Sequence, residues 1–405
     1  MNRFTLERGL FERCAGCGES AMGVLSAGGD TLRKRCTKCQ RAVEIYLPDL
    51  DKKAVYLDQF MFSLIYNVKN HGNLPLGHEA FAKEVYFLLR RCVLLQQIFL
   101  PHSDIHQKET MAFHSSMNLR GLYEFFGGDV RLSDQLNVVL SQEMAFAEAF
   151  FDGKEPVLSF DLDEVTDSRH NEWLQDMHID VRMDIGQFAE DARRVRAESY
   201  LAMQGLSQVW VERKIKFKDL LENEFASIFL TKREEMYRWA RDALSPNLND
   251  PMAILEVSGR KIAREYRELF GMLEARGVEE SGRMQKIMDF WSWQRLREVP
   301  YHRISAYFFA AVARRVAMGD KKVIDRGLIN DVNTISTYAP YVDALFVDKK
   351  CAAILAEEPL ASDLSYKAEI FSLSDPEAFI EYLKELEAKT PDDVRELAER
   401  IYQVT

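Results

Sequence analysis

"KKAVYLDQF", residues 52–60, is the stretch on which the reading of this chain turns. Ala54-Val55-Tyr56-Leu57 is apolar on both faces, the pattern of a short strand buried in a parallel sheet, yet it ends on a charge, Asp58. Burying a lone carboxylate is costly unless it is paired or protonated, so a strand-terminal Asp is either a solvated cap or one wall of a site.

Downstream, the apolar segment "FMFSLIYNVKN" runs to the turn "NLPLG" (73–77), followed by an amphipathic helix from Glu79 to Arg91. "CVLLQQIFLP" then reads as a strand ending at Pro101. This β–α–β order predicts a parallel sheet. From Val157 to Leu244 there is no proline, and Ile215, Phe217, Leu220, Leu221, Phe225, Ile228 and Phe229 recur with helical period. A second helical run carries Val257, Ile262, Tyr266, Leu269, Phe270 and Leu273. Breaks fall at Gly127-Gly128, "SPNLNDP" (245–251) and "GVEESG" (277–282). The α/β pattern then returns. Helices are predicted over "ISAYFFAAVARRVAM" and "LINDVNTISTYAPY", strands at "ALFVD" (344–348) and "AEIFSL" (368–373), and a helix capped by Asp375 with Pro376 at its first position.

A chain of 405 residues, 47% hydrophobic and 29% charged, is long enough for two or three units with real cores. A net charge of −11 argues against binding nucleic acid through the overall field and leaves only local basic patches for that role. No stretch approaches the roughly 20 uncharged apolar residues that span a bilayer. The best, Ile304 to Val312, is cut short by Arg314 and Arg315. "MNRFTLERGLFERC" lacks the apolar region of a secretory signal. Together with Cys92 and Cys351 in apolar helical contexts, these features predict a cytoplasmic protein with no membrane segment.

The other four cysteines form two pairs, "CAGC" (Cys14, Cys17) and "CTKC" (Cys36, Cys39), eighteen residues apart. That is the spacing of a tetrathiolate zinc site built from two knuckles, with Gly16 and Gly18 supplying backbone freedom. Such a site is closed and does no chemistry, so its function lies on its surface. Arg33, Lys34, Arg35, Lys38 and Arg41 surround the second knuckle. They make either a contact for nucleic acid or protein, or a solvated basic loop.

Several carboxylates share one structural description. Asp58 follows the first strand, Glu109 opens a helix just after the second, Asp348 ends "ALFVD", and Asp331 lies near the start of "NDVNTISTYAP". In an open parallel sheet the carboxyl ends of the strands line the edge where ligands bind. Four acids gathered there repel each other strongly unless a cation sits among them. Oxygen ligands without cysteine or a close histidine favour Mg²⁺ or Mn²⁺, a site suited to phosphodiester hydrolysis.

"AVYLDQF", "LPHSDIHQKE", "INDVNTISTYAPYVDALFVDKKCAAIL" and "AEIFSLSDPEAFIEYL" resemble, in their order, the motifs of a PIN-domain nuclease. The resemblance covers roughly 50–115 and 300–390, and the seventeen-residue step from Asp331 to Asp348 adds to it. It implies a PIN-like α/β fold, a parallel sheet flanked by helices, in 50–117 and 300–405; the chain departs from the usual pattern in a large helical insertion at 118–299 and in Lys349-Lys350, and the cysteine spacing sets a small zinc ribbon at 1–48 before it. The resemblance places Asp58, Glu109, Asp331 and Asp348 on the catalytic Mg²⁺ or Mn²⁺ and chooses RNA as substrate. Asp343, five residues before Asp348, becomes a ligand or a partner of one. Lys349 and Lys350 either grip a phosphate or are solvated, and with the insertion present the resemblance does not say how substrate reaches the site.

Other patterns compete. His102, Asp104, His106 and Glu109 suggest a transition-metal site, but Ser103-Asp104 look like a helix cap that turns His102 away, leaving His106 as a phosphate contact or a partner of Glu109. Arg297 and His302 match a loose Arg-x₄-His pattern of another ribonuclease class, interrupted by Pro300. "FDLDE" (160–164) reads as a solvated acidic face, and at least one of Trp291 and Trp293 as core.

The resulting expectation is a metal-dependent ribonuclease of toxin, defence or RNA-processing type, contacting RNA partly through Arg33 and Arg35. A homo-oligomer or a protein partner would engage the helical insertion. The rival is a non-catalytic zinc-ribbon adaptor that binds nucleic acid or a protein.

Overall fold

The computed structural model describes residues 11–28, 30–107, 116–128, 130–166, 169–173, 186–213, 216–244, 257 and 259–402. Its amino-terminal part is a curled antiparallel sheet, β1 (Glu12–Arg13), β2 (Ser20–Gly28), β3 (Thr31–Cys36) and β4 (Ala42–Tyr46), in that order. Strand period sorts β3 cleanly: Leu32, Lys34 and Cys36 are buried, while Arg33 and Arg35 are exposed.

The apolar run after Lys53 does form a strand, β5 (Lys53–Leu57), buried from Ala54 onward. It pairs in parallel with β6 (Ile98–Phe99) on one side and β7 (Ala344–Phe346) on the other, and β8 (Glu369–Phe371) pairs beyond β7. The order is therefore β6-β5-β7-β8. Both faces are covered, which is why the strands do not alternate. Val55, Leu57, Ala344 and Phe346 pack with helices Gln59–Lys69, Glu79–Leu94 and Pro376–Ala388. Ala54, Tyr56 and Leu345 pack with helices Pro300–Ala317, Leu328–Tyr338 and Lys349–Leu355.

"CVLLQQIFLP" departs from the expected strand. Cys92, buried three residues after Leu89 on the same helical face, extends the preceding helix to Leu94, and only Ile98–Phe99 pairs with the sheet. A short apolar run fits either period, and here the helix wins.

Between β6 and Pro300 the described residues form the helices Ser116–Gly127, Gln135–Asp152, Gly186–Arg213, Phe217–Leu244, Lys261–Ala275 and Glu280–Trp291. The first of these carries Leu122, Tyr123 and Phe126 into the core beside Phe62 and Leu100, so the expected 117/118 boundary falls inside it. Gln135–Asp152, Phe217–Leu244, Lys261–Ala275 and Glu280–Trp291 build a core of their own around Met236, Ile262, Leu269, Ile287 and Trp291. Trp210 and Leu220 join the core of the sheet through Pro300–Ala317. The ribbon is tied down too: Leu32 and Leu47 share a cluster with Leu95, Trp173 and the helix Asp392–Tyr402. Among the described residues no helix is long and apolar enough to cross a membrane.

Candidate active site

The sheet's strand order dictates where to look. The chain leaves β5 toward β6 and later returns to β7 on β5's other side, so the connections diverge between β5 and β7. The carboxyl ends at such a switch point frame a crevice. Asp58 stands directly after β5 and caps helix Gln59–Lys69, its Oδ1 accepting the Gln59 N–H at 2.7 Å. Asp348 stands two residues after β7 and caps helix Lys349–Leu355, its Oδ1 accepting the Cys351 N–H at 2.6 Å. Asp331 comes from the first turn of helix Leu328–Tyr338. These three aspartates line one small pocket, floored by Tyr56, Phe346 and Val347.

Three further residues complete the cluster, Cys351, Asp325 and Lys350, and sequence reasoning missed the role of each. Oxygens of Asp331 and Asp348 and the Cys351 sulfur lie within 4.8 Å of one another. Burial, with Asp331 and Asp348 alongside, pushes the Cys351 thiol well up, so it stays neutral. Asp325 accepts the Gly327 and Leu328 N–H groups on Oδ1 and holds the Lys350 ammonium at 2.5 Å on Oδ2. That ammonium is also 3.6 Å from Asp348 and 3.9 Å from Asp331. Repulsion among the acids is thus offset by a lysine from the same chain. Two carboxylates and a neutral thiol this close together could hold a metal ion. At the rim, Arg196 of the helical block donates from Nε to the Arg326 carbonyl at 3.0 Å, next to Gly327.

The remaining expected site residues separate. Glu109 lies outside the described residues. Asp343 does not join the pocket: it stands before β7, at the opposite edge, where its Oδ2 accepts the Ala54 N–H at 2.8 Å and its Oδ1 faces Lys367 at 3.2 Å. His106 is buried and is not among the residues that line the pocket. Its Nε2 donates to the Leu57 carbonyl at 2.8 Å, its Nδ1 accepts the Ser103 N–H at 3.3 Å, and its ring stacks on Tyr56. Both ring nitrogens being engaged also removes His106 from a histidine metal site. Lys349 is exposed beside Asp348, whereas Lys350, expected to grip phosphate or be solvated, is committed to Asp325, Asp331 and Asp348.

The competing patterns resolve similarly. Arg297 faces Glu222 while His302 is buried against Glu143, so they do not meet. Asp161 and Glu164 are exposed, and Asp163 faces His170. Trp291 is core, and its indole N–H donates to Glu265 at 2.8 Å.

The four ribbon cysteines converge. Cys14 and Cys39 sulfurs are 3.5 Å apart, Cys17 and Cys36 3.6 Å, and all four lie within 4.8 Å. A tetrahedral zinc with Zn–S near 2.3 Å needs sulfur separations of about 3.8 Å. The knuckles match each other: Gly18 accepts φ +79° one residue after Cys17, and Gln40 adopts φ +63° one residue after Cys39. The Cys39 N–H, working against burial and helped by that of Lys38, draws the Cys36 thiol down to about 6. The Glu19 N–H favours a Cys17 thiolate, but burial and the neighbouring thiols push it up to about 11. Four thiols this close ionise together only around a cation, so the cluster could hold a zinc ion. Arg33, Arg35, Lys38 and Arg41 are exposed around it, with Arg33 3.6 Å from Glu44.

Comparison with protein-family models, curated proteins and solved structures found no match.

Proposed function

We propose that the protein is a PIN-like ribonuclease that hydrolyses RNA phosphodiesters with Mg²⁺ or Mn²⁺ held by Asp58, Asp331 and Asp348, with Glu109 as the fourth expected ligand. One observation carries the reading: three aspartates from separate parts of the chain line one pocket at the switch point of a parallel sheet. When bound, the ion activates a water and offsets charge on the phosphate. The chain's own cations position the polyanion. Lys349 is exposed directly after Asp348 in the chain, Arg196 meets the Arg326 carbonyl near Gly327, and the exposed Arg33 and Arg35 offer a second contact on the ribbon. A protein partner or a second copy would use the exposed apolar positions Val195, Leu201, Leu206 and Val209 of the helical block. A cytoplasmic toxin, defence or RNA-processing role each accommodates this chemistry.

The test is cleavage of end-labelled RNA by purified protein with Mn²⁺, with and without chelator. Asp58→Asn, Asp331→Asn and Asp348→Asn should each lower the rate roughly a hundredfold or more. Intact RNA at every Mn²⁺ concentration would retire the nuclease reading. The adaptor reading would then stand, favoured by the Lys350 ammonium already among the acids and by the helix caps formed by Asp58 and Asp348. RNA binding without cleavage, lost in Arg33→Glu/Arg35→Glu, would be its signature.

A further inference from the structure

Lys350 occupies a position that the metal reading does not use. It is the second residue of the helix capped by Asp348, and its stem returns along that first turn, leaving the side chain 16% exposed. The ammonium has one close partner, Asp325 at 2.5 Å, and two looser ones, Asp348 at 3.6 Å and Asp331 at 3.9 Å. Asp325 is itself fixed by the Gly327 and Leu328 N–H groups. Lys350 therefore leans on a carboxylate outside the pocket while still reaching two that line it. A divalent ion on Asp331 and Asp348 would meet a like charge within reach of both.

Resting on the metal reading above, we propose that Lys350 is a positioning residue that acts as a resident counter-cation: it neutralises Asp331 and Asp348 in the metal-free protein and competes with the divalent ion for them, while Asp325 draws it aside. The balance between Asp325 and the pocket aspartates then sets how much metal is needed to load the site. Two substitutions on opposite sides of this balance have opposite effects. Lys350→Met keeps the stem, removes the competitor and tightens metal binding. Asp325→Asn releases Lys350 onto the pocket pair and weakens it.

The experiment is titration of the full chain with MnCl₂ at pH 7.5, without RNA, read by calorimetry and by the Mn²⁺-induced rise in melting temperature. Lys350→Met should bind Mn²⁺ roughly tenfold more tightly than the unaltered protein, a change of about 1.4 kcal/mol. Lys350→Arg, which keeps the charge, should stay within about twofold, and Asp325→Asn should bind several-fold more weakly. Lys350→Gln is the second neutral variant should Lys350→Met fold poorly. Unchanged or weaker Mn²⁺ binding in the neutral variants overturns the proposal while leaving the metal reading intact. Absence of Mn²⁺ binding in every variant overturns both. Tighter binding in Lys350→Met by a protein that leaves RNA intact upholds the counter-cation and removes only the nuclease assignment.

Discussion

His106 shows how one side chain can hold a site without touching it. Its Nε2 secures the carbonyl of Leu57, the residue immediately before Asp58, and its ring stacks on Tyr56 and makes a T-shaped contact with Phe62. Burial drives its pKa down to about 3, against about 6.5 in an unfolded chain, so the ring is neutral in the fold. Below pH 6.5 the unfolded chain binds the extra proton and the folded one does not. The stability is therefore complete above that pH and is lost as pH falls toward 3, by about 2 kcal/mol between pH 6.5 and 5. His106→Gln should cost about 1–3 kcal/mol at pH 7 through its imperfect hydrogen bonds, yet lose less on acidification than the unaltered chain. Urea unfolding at pH 7 and pH 5 measures both. An equal acid slope in the two proteins would show that His106 is not the sensor.

At the level of elements, three helices of the central block and Pro300–Ala317 of the sheet's covering layer meet through charges. Gln135–Asp152 supplies Glu143, Phe217–Leu244 supplies Lys232, Lys261–Ala275 supplies Glu265 and Pro300–Ala317 supplies His302. Lys232 bridges Glu143 at 3.0 Å and Glu265 at 2.6 Å, and His302 donates to Glu143 at 2.8 Å, all in the interior. Burial opposes charge on Glu143, but Lys232 and the His302 hydrogen bond more than offset it. Glu265 is pushed up by burial and by its neighbour Glu143. Such a cluster stabilises little relative to an apolar core but is expensive to break. Lys232→Met should lower stability by about 3–5 kcal/mol, and adding Glu265→Gln should recover part of it by removing one stranded charge. Chemical denaturation of the single and double variants checks the sign of that recovery.

For the whole molecule, the ribbon and the sheet are joined by shared burial. Trp173 is buried with Leu32, Leu47 and the helix Asp392–Tyr402, donates to the Pro48 carbonyl at 2.7 Å, and lends its own carbonyl to Tyr402 at 2.7 Å. Metal that folds the knuckles should therefore also hold this seam. Cys36→Ser should lose zinc by elemental analysis, lower the melting temperature by about 5 °C, and shift Trp173 emission to the red, the last effect being absent on a Trp173→Phe background. Zinc loss with unchanged emission would mean that the seam stands without the ribbon's metal.

The sequence by itself determined what depends on neighbours a few residues away. The two-faced strand at Ala54–Leu57, the CxxC knuckles, the Asp375-Pro376 helix start and the helical periods of the central block are all legible, because strand and helix repeats and tight turns are local. The chain order of Asp58, Asp331 and Asp348 was legible too, since each follows or opens an element whose direction the pattern gives. Asp343 was misread for want of one further step: five residues of strand span about 16 Å, so it and Asp348 fall at opposite edges. Only the tertiary structure decided which charge offsets those acids, that His106 closes on a carbonyl 49 positions earlier in the chain, and that Lys232 joins two buried glutamates. Those contacts are made by side chains brought together through long-range packing. A lysine or histidine in a polar stretch carries no local sign of which distant partner will meet it once water is excluded.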